Sequence, residues 1–256
     1  MQAETLTRIC NPYTGELLRL SGDQLVGISS GQRFPIIQGI PSIMQSSAQP
    51  RRNRFYRWLY DRFAFAYDAT VRFGSHINYG TEEQVRKDYI VDLEIPQDAW
   101  VLESAVGTAS NFEYLPKHAR FFGVDISLAM LLRAQRKLAA LDRQAELFHA
   151  DAQFLPFHDD TFDLVFSMGG IQFFGDPFKA VSEMARVAKP GAQVHVLDEA
   201  SRATTTLKRM PAHARYANDP QTALETITRL APHYITDAQV KLLPSGQFYA
   251  LTFTKP

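Results

Sequence analysis

Trp100-Val101-Leu102-Glu103-Ser104-Ala105-Val106-Gly107-Thr108-Ala109 passes from an apolar run, through an acid, into a turn of small residues. The run at Trp100–Ser104 reads as a strand. Small residues at 105, 107 and 109 let the backbone pass close to a ligand, and the helix expected next offers unpaired N–H groups. The alternation continues outward from there. Further strands are expected at Phe121–Val124, Ala145–His149, Phe162–Ser167, Gln193–Leu197, Val240–Leu243 and Phe248–Phe253, and helices at Asn111–Lys117, Leu128–Leu141, Pro177–Ala188 and Pro220–Leu230. Strand–helix alternation means parallel strands with helices on both faces, a doubly wound α/β sheet. Only Pro244-Ser245-Gly246 separates the last two strands, so they form a hairpin and make one edge antiparallel.

In an open sheet of this kind ligands bind beyond the carboxyl ends of the strands. Glu103 ends the first strand, Asp125 follows the second and Asp151 the third. An acid about 20 residues after a small-residue turn can accept hydrogen bonds from both hydroxyls of a ribose. Asp151 can accept one from an adenine amino group. The competing role for Asp125 is the N-cap of the helix from Leu128, for which Ser127 is equally suited. For Asp151 it is also a helix cap. The small-residue turn, one acid and a second acid on successive strand ends converge in space, which favours a ligand.

The chain has 256 residues, with 27 basic side chains balancing 27 acidic ones. Zero net charge argues against a dedicated nucleic-acid binder, which needs a positive field to displace phosphate counterions. A 45% hydrophobic and 21% charged composition excludes a disordered chain. One cysteine excludes an internal disulfide and a four-cysteine zinc site. No apolar run approaches the ~18–20 residues of a membrane span, and the first residues carry no secretory signal pattern. The expectation is a soluble, cytoplasmic protein. Nothing in the sequence bears on its oligomeric state.

Ahead of the sheet, Phe55, Trp58, Leu59, Phe63 and Tyr67 recur at helical spacing, and Arg51, Arg52, Arg54, Arg57 and Arg62 form the one basic patch. A second helix is expected from Thr81 to Leu93. Earlier still, turn signals such as Asn11-Pro12, Thr14-Gly15 and Ser21-Gly22 punctuate short apolar pieces, which reads as a small β unit. The divisions are therefore a β unit at 1–46, a helical lid at 47–95 and the sheet at 96–256.

Residues 98–200 resemble class I S-adenosylmethionine (SAM)-dependent methyltransferases of the ubiquinone/menaquinone type. The matching stretches are Val101–Thr108, Gly123-Val124-Asp125-Ile126-Ser127, Ala150-Asp151-Ala152 with Leu155-Pro156-Phe157, Phe162-Asp163-Leu164-Val165 and Ala185–Gly191. The resemblance implies a Rossmann-like methyltransferase fold with SAM as cofactor. It implies that Glu103, Ala105 and Gly107 hold the methionine end and that Asp125 takes the ribose. Ile126, Asp151 and Ala152 would meet the adenine, and Met168 would line the floor near the sulfonium. Where the family has three glycines in the turn, this chain has Ala105, Gly107 and Ala109. Alanine at 109 costs nothing if its φ is helical and about 1–2 kcal/mol if φ is positive. The sequence leaves both open.

Cys10–Leu17 and Gly31–Pro41 resemble a zinc-ribbon-like unit fused to some methyltransferases. There a Cys-x-x-Cys pair opens the metal site, whereas here Cys10 is followed by Tyr13 in the partner's place. No metal is expected, and apolar packing must hold the unit together.

Methyl transfer needs alignment and desolvation, and a base only where the acceptor loses a proton. Catalytic candidates are Tyr67, His76 and His213, with Tyr79, Gln172, Asp198, Glu199 and Tyr216 behind them. The aromatic lid suggests a small, largely apolar acceptor. Two alternatives keep the fold: a non-methylating reaction such as a cyclisation, dehydration or pericyclic step, and methylation of rRNA or tRNA.

Overall fold

The computed structural model describes residues 1–45, 82–91, 93–199, 230–243 and 248–256. Most of the region read as a lid, and the Pro220–Leu230 helix apart from its last residue, lie outside them. The larger sheet has seven strands: β5 (Trp100–Ser104), β6 (Arg120–Asp125), β7 (Glu146–His149), β8 (Phe162–Met168), β9 (Ala188–Glu199), β10 (Gln239–Leu242) and β11 (Phe248–Thr254). Their order is β10-β11-β9-β8-β5-β6-β7. Strands β5 to β9 pair in parallel, and β11 pairs antiparallel with both β9 and β10. The chain moves outward from β5 to β7, then returns to lay β8 on the other side of β5. That reversal opens a crevice between the carboxyl ends of β5 and β8, where such sheets bind ligands.

Every residue of β5 is buried, as a central parallel strand requires. Leu102, Phe122, Val165 and Val194 face a cluster that includes Val181, Met184 and Ala185 of α4 (Pro177–Val187). Val101, Leu164 and Phe166 face the opposite cluster, with Leu131, Ala134 and Leu138 of α3 (Leu128–Ala140) and Tyr89 and Ile90 of α2 (Glu82–Val91). Both α3 and α4 start where their first residues dictate. The Ser127 hydroxyl caps α3 by accepting from the Met130 N–H, and the Asp176 carboxylate caps α4 by accepting from the Lys179 N–H, with Pro177 at N1.

One expected element is corrected. Asn111–Lys117 is not an α-helix: a single 3-10 turn spans Ser110–Glu113. Ala109 enters it in the left-handed region, the Asn111 side chain turns inward to Glu103, and Pro116 disfavours helical backbone at Leu115. Strand β9 also runs further than Gln193–Leu197 because it begins directly at the end of α4.

The first 45 residues contain α1 (Ala3–Leu6) and an antiparallel sheet of β1 (Leu18–Ser21), β2 (Gln24–Gly27), β3 (Arg33–Ile37) and β4 (Ile40–Pro41). Ile9, Leu18, Leu25, Phe34 and Ile43 are buried in the same apolar cluster as the large sheet. Just beyond β4, the Ile43 N–H donates to the His149 carbonyl at 2.9 Å, so the small sheet docks along β7, the edge of the large one. Two turns of this unit are joined by one carboxylate. Glu16 accepts from Ser30 Oγ (2.5 Å), the Ser30 and Ser29 N–H groups (2.9 and 3.0 Å) and Asn11 Nδ2 (3.1 Å).

Candidate functional site

Glu103, the fourth residue of β5, is 1% exposed, and Asn111 Nδ2 donates to its Oε1 at 2.5 Å. Between these two residues the chain makes a turn with three residues at positive φ: Ala105 (59°), Gly107 (54°) and Ala109 (58°). Ala109 is therefore left-handed, not helical, in a conformation that disfavours any Cβ. Ala105 has a further consequence across the crevice. A Cβ placed on Gly170 would lie 2.6 Å from the Ala105 Cβ, so the methyl at 105 requires glycine at 170.

At the end of β6, Asp125 Oδ2 accepts from the Gly107 N–H and Oδ1 from the Ser127 N–H, both at 2.8 Å. Asp125 is therefore not the cap of α3; Ser127 is. The carboxylate ties the turn after β5 to the loop after β6. After β7, Asp151 is 2% exposed, and its Oδ1 accepts from the backbone and side-chain amides of Gln153 at 3.0 Å.

Glu103, Ala105, Gly107, Asp125, Ile126, Asp151, Ala152 and Met168 all line one cavity at the crevice. The cavity is partly open to solvent. The eight residues nominated for the cofactor are thus brought together. Sequence reasoning missed Asn111, Gly169, Gly170, Phe173 and Phe174, which line the same cavity. A helix over Asn111–Lys117 would not turn Asn111 inward, and Phe173 and Phe174 lie in the loop after β8, where no local pattern marks a ligand contact. The catalytic candidates Tyr67, His76 and His213 lie outside the described residues.

Cys10 is 4% exposed, and burial pushes its thiol up to about 11. Tyr13 accepts from the Gln45 N–H at 3.0 Å and packs on Phe154 with ring centroids 5.1 Å apart. Burial raises its phenol as well. Among the described residues no group of three or more His, Cys, Asp or Glu side chains is arranged to hold a metal ion. None of the helices among them is long and apolar enough to cross a membrane.

Residues 102–196 match a family described as "Methyltransferase domain". The chain is 33% identical over 162 residues to a phosphatidylethanolamine N-methyltransferase of Cereibacter sphaeroides, covering 60% of this chain and 79% of the relative. It is 34% identical over 147 residues to a demethylmenaquinone methyltransferase of Lactiplantibacillus plantarum, covering 55% of this chain and 60% of that relative's length. Among solved structures, a Haemonchus contortus phosphoethanolamine N-methyltransferase 2 in complex with S-adenosyl-L-methionine superposes with a TM-score of 0.60 at 16% identity. That match covers 95% of this chain and 72% of the other, and at that identity it speaks to the fold alone.

Proposed function

The chain belongs to the class I SAM-dependent methyltransferases, whose cofactor is SAM, and from that premise we propose that it methylates a small, largely apolar acceptor. The observation behind this reading is the convergence of Glu103, Asp125 and Asp151, from three successive strand ends, on one cavity at the sheet's reversal point. Their chemistry fits the cofactor. The buried Glu103 carboxylate suits an ammonium group, the Asp125 carboxylate suits ribose hydroxyls, Ile126 offers apolar surface to a ring and Met168 to the sulfonium end.

SAM supplies a methyl group on a sulfonium, and its transfer to a nucleophile is an in-line displacement. The protein's part is alignment and exclusion of water. Asn111 holds the Glu103 carboxylate in place, and Asp125 draws the 105–109 turn against the 125–127 loop. Met168, Phe173 and Phe174 bring apolar side chains to the β8 side of the cavity, which suits an apolar acceptor. The names of the two sequence relatives, one for a quinone precursor and one for a phospholipid, agree with that class. Tyr67, His76 and His213 are our candidates for moving a proton where the acceptor must lose one.

We read residues 1–46 as a ribbon-like unit that Glu16 and apolar packing hold without metal. Stoichiometric zinc in the purified protein would overturn that part.

Calorimetric titration with SAM and with S-adenosylhomocysteine tests the cofactor site. Wild type is expected to bind both. D125A should bind more weakly by ~1.5–3 kcal/mol, the worth of a hydrogen bond to a charged group, or roughly ten- to a hundredfold. An unchanged dissociation constant in D125A would remove Asp125 from the site. With an acceptor panel, methylation releases S-adenosylhomocysteine in step with product. Turnover without that release would favour the non-methylating alternative.

A further inference from the structure

We propose that the N-terminal β unit tunes SAM affinity by bracing the 125–127 loop through a Ser42–His149–Ile126 relay, in which Ser42 and His149 are positioning residues. The inference rests on reading the cavity as the SAM site.

His149 is the last residue of β7 and is 8% exposed. Its Nε2 lies 3.1 Å from the Ile126 carbonyl oxygen and its Nδ1 lies 2.8 Å from Ser42 Oγ. A carbonyl only accepts, so Nε2 must carry the proton. In the neutral ring Nδ1 is then an acceptor, and the Ser42 hydroxyl is its donor. The imidazole thus spans two parts of the molecule, with each nitrogen assigned one partner.

Both ends of the relay are fixed by backbone. The Ser42 N–H donates to the Pro35 carbonyl at 2.8 Å, and the next residue, Ile43, donates to the His149 carbonyl at 2.9 Å. On the other side Ile126 lies between Asp125 and Ser127. The Ala150 N–H donates to the Asp125 carbonyl at 3.1 Å, so consecutive carbonyls of the loop are held by consecutive residues of the 149–150 segment. Ile126 and Asp125 both line the cavity. A second contact reaches the neighbouring loop: Tyr13 packs on Phe154, whose N–H donates to the Asp151 carbonyl at 2.8 Å. The small unit therefore reaches the segments carrying Asp125 and Asp151, each through one intervening residue.

A loop braced in its binding geometry loses less freedom when the ligand arrives. Removing the Ser42 hydroxyl leaves a buried acceptor without its donor and loosens the ring that pins Ile126. S42A is expected to raise the dissociation constants of SAM and S-adenosylhomocysteine about three- to tenfold. That corresponds to one net hydrogen bond. S42T, which keeps the hydroxyl, should restore wild-type affinity. H149Q, whose amide nitrogen replaces Nε2 but leaves Ser42 without its acceptor, should resemble S42A. H149A should be weaker than either.

The test is calorimetry of the full chain, wild type and variants, with SAM and S-adenosylhomocysteine, alongside thermal melts without ligand. A merely structural role would lower the melting temperature and leave the affinity of the folded variants unchanged, and that result overturns the proposal. So does failure of S42T to restore binding. If S42A does not fold, H149Q gives the same reading. Weakened binding by D125A with unchanged binding by S42A sinks the relay and spares the cofactor site, whereas no binding by wild type sinks both.

Discussion

Ala105 and Ala109 stand at positive φ in the same turn, yet relieving them should have different results. The left-handed region costs an alanine about 1–2 kcal/mol. Glycine escapes that but adds about 0.4–1 kcal/mol of unfolded-state entropy. For half-buried Ala105 the balance favours A105G by about 1 kcal/mol. Ala109 is fully buried, and losing its methyl costs a further ~0.8 kcal/mol, so A109G should stay within about 0.5 kcal/mol of wild type. Urea unfolding of the two variants checks the contrast. Gly170 gives a coupled prediction. G170A brings two Cβ atoms together and should cost about 1–3 kcal/mol, as overpacking does. In an A105G background the same change should be much cheaper, with a coupling of at least about 1 kcal/mol in a double-mutant cycle. Additive costs would mean that the two residues do not meet.

Caps and clasps act on whole elements. The Asp176 side chain caps the exposed start of α4, so D176A should cost about 1 kcal/mol and D176N much less, by denaturant unfolding. The Glu16 clasp adds a pH dependence. The Ser30 hydroxyl first, then the Ser30 backbone amide and Asn11, lower its carboxyl from the ordinary 4.5 to about 2. Because the folded value lies below the unfolded one, the clasp is fully present above about pH 4.5. It is lost as pH falls towards 2. Melting temperatures of wild type and E16Q should differ near neutrality and converge in acid. A constant gap would mean that the carboxylate charge contributes nothing. The Asn111–Lys117 segment stops at a single 3-10 turn for a local and a tertiary reason: Pro116 disfavours helix at Leu115, while Glu103 draws in Asn111 and Ala109 sets the entry angle.

At the scale of the molecule, the single cysteine reports on cohesion. Cys10 lies where the small unit meets the large sheet, its N–H donating to the Pro156 carbonyl, and burial pushes its thiol up to about 11. At pH 8 a thiol reagent should label it only as fast as the protein opens, with a rate that follows denaturant through the global transition. Rapid labelling in native buffer would mean that the N-terminal unit detaches by itself.

The seven strands, the antiparallel edge, the small-residue turn and the acids Asp125 and Asp151 were legible in the sequence alone. They follow from strand–helix alternation, from a three-residue connection, and from the rule that ligands bind at carboxyl ends. Glu103, Ile126, Ala152 and Met168 came instead from the resemblance to the methyltransferase family. Packing alone sets the sign of φ at Ala105 and Ala109, the choice of Ser127 over Asp125 as cap, the pairing of Ala105 with Gly170, and the bridge from Ser42 through His149 to Ile126. Each depends on atoms that are distant in the chain and brought within a few ångströms by packing. No periodicity or local spacing encodes such a contact.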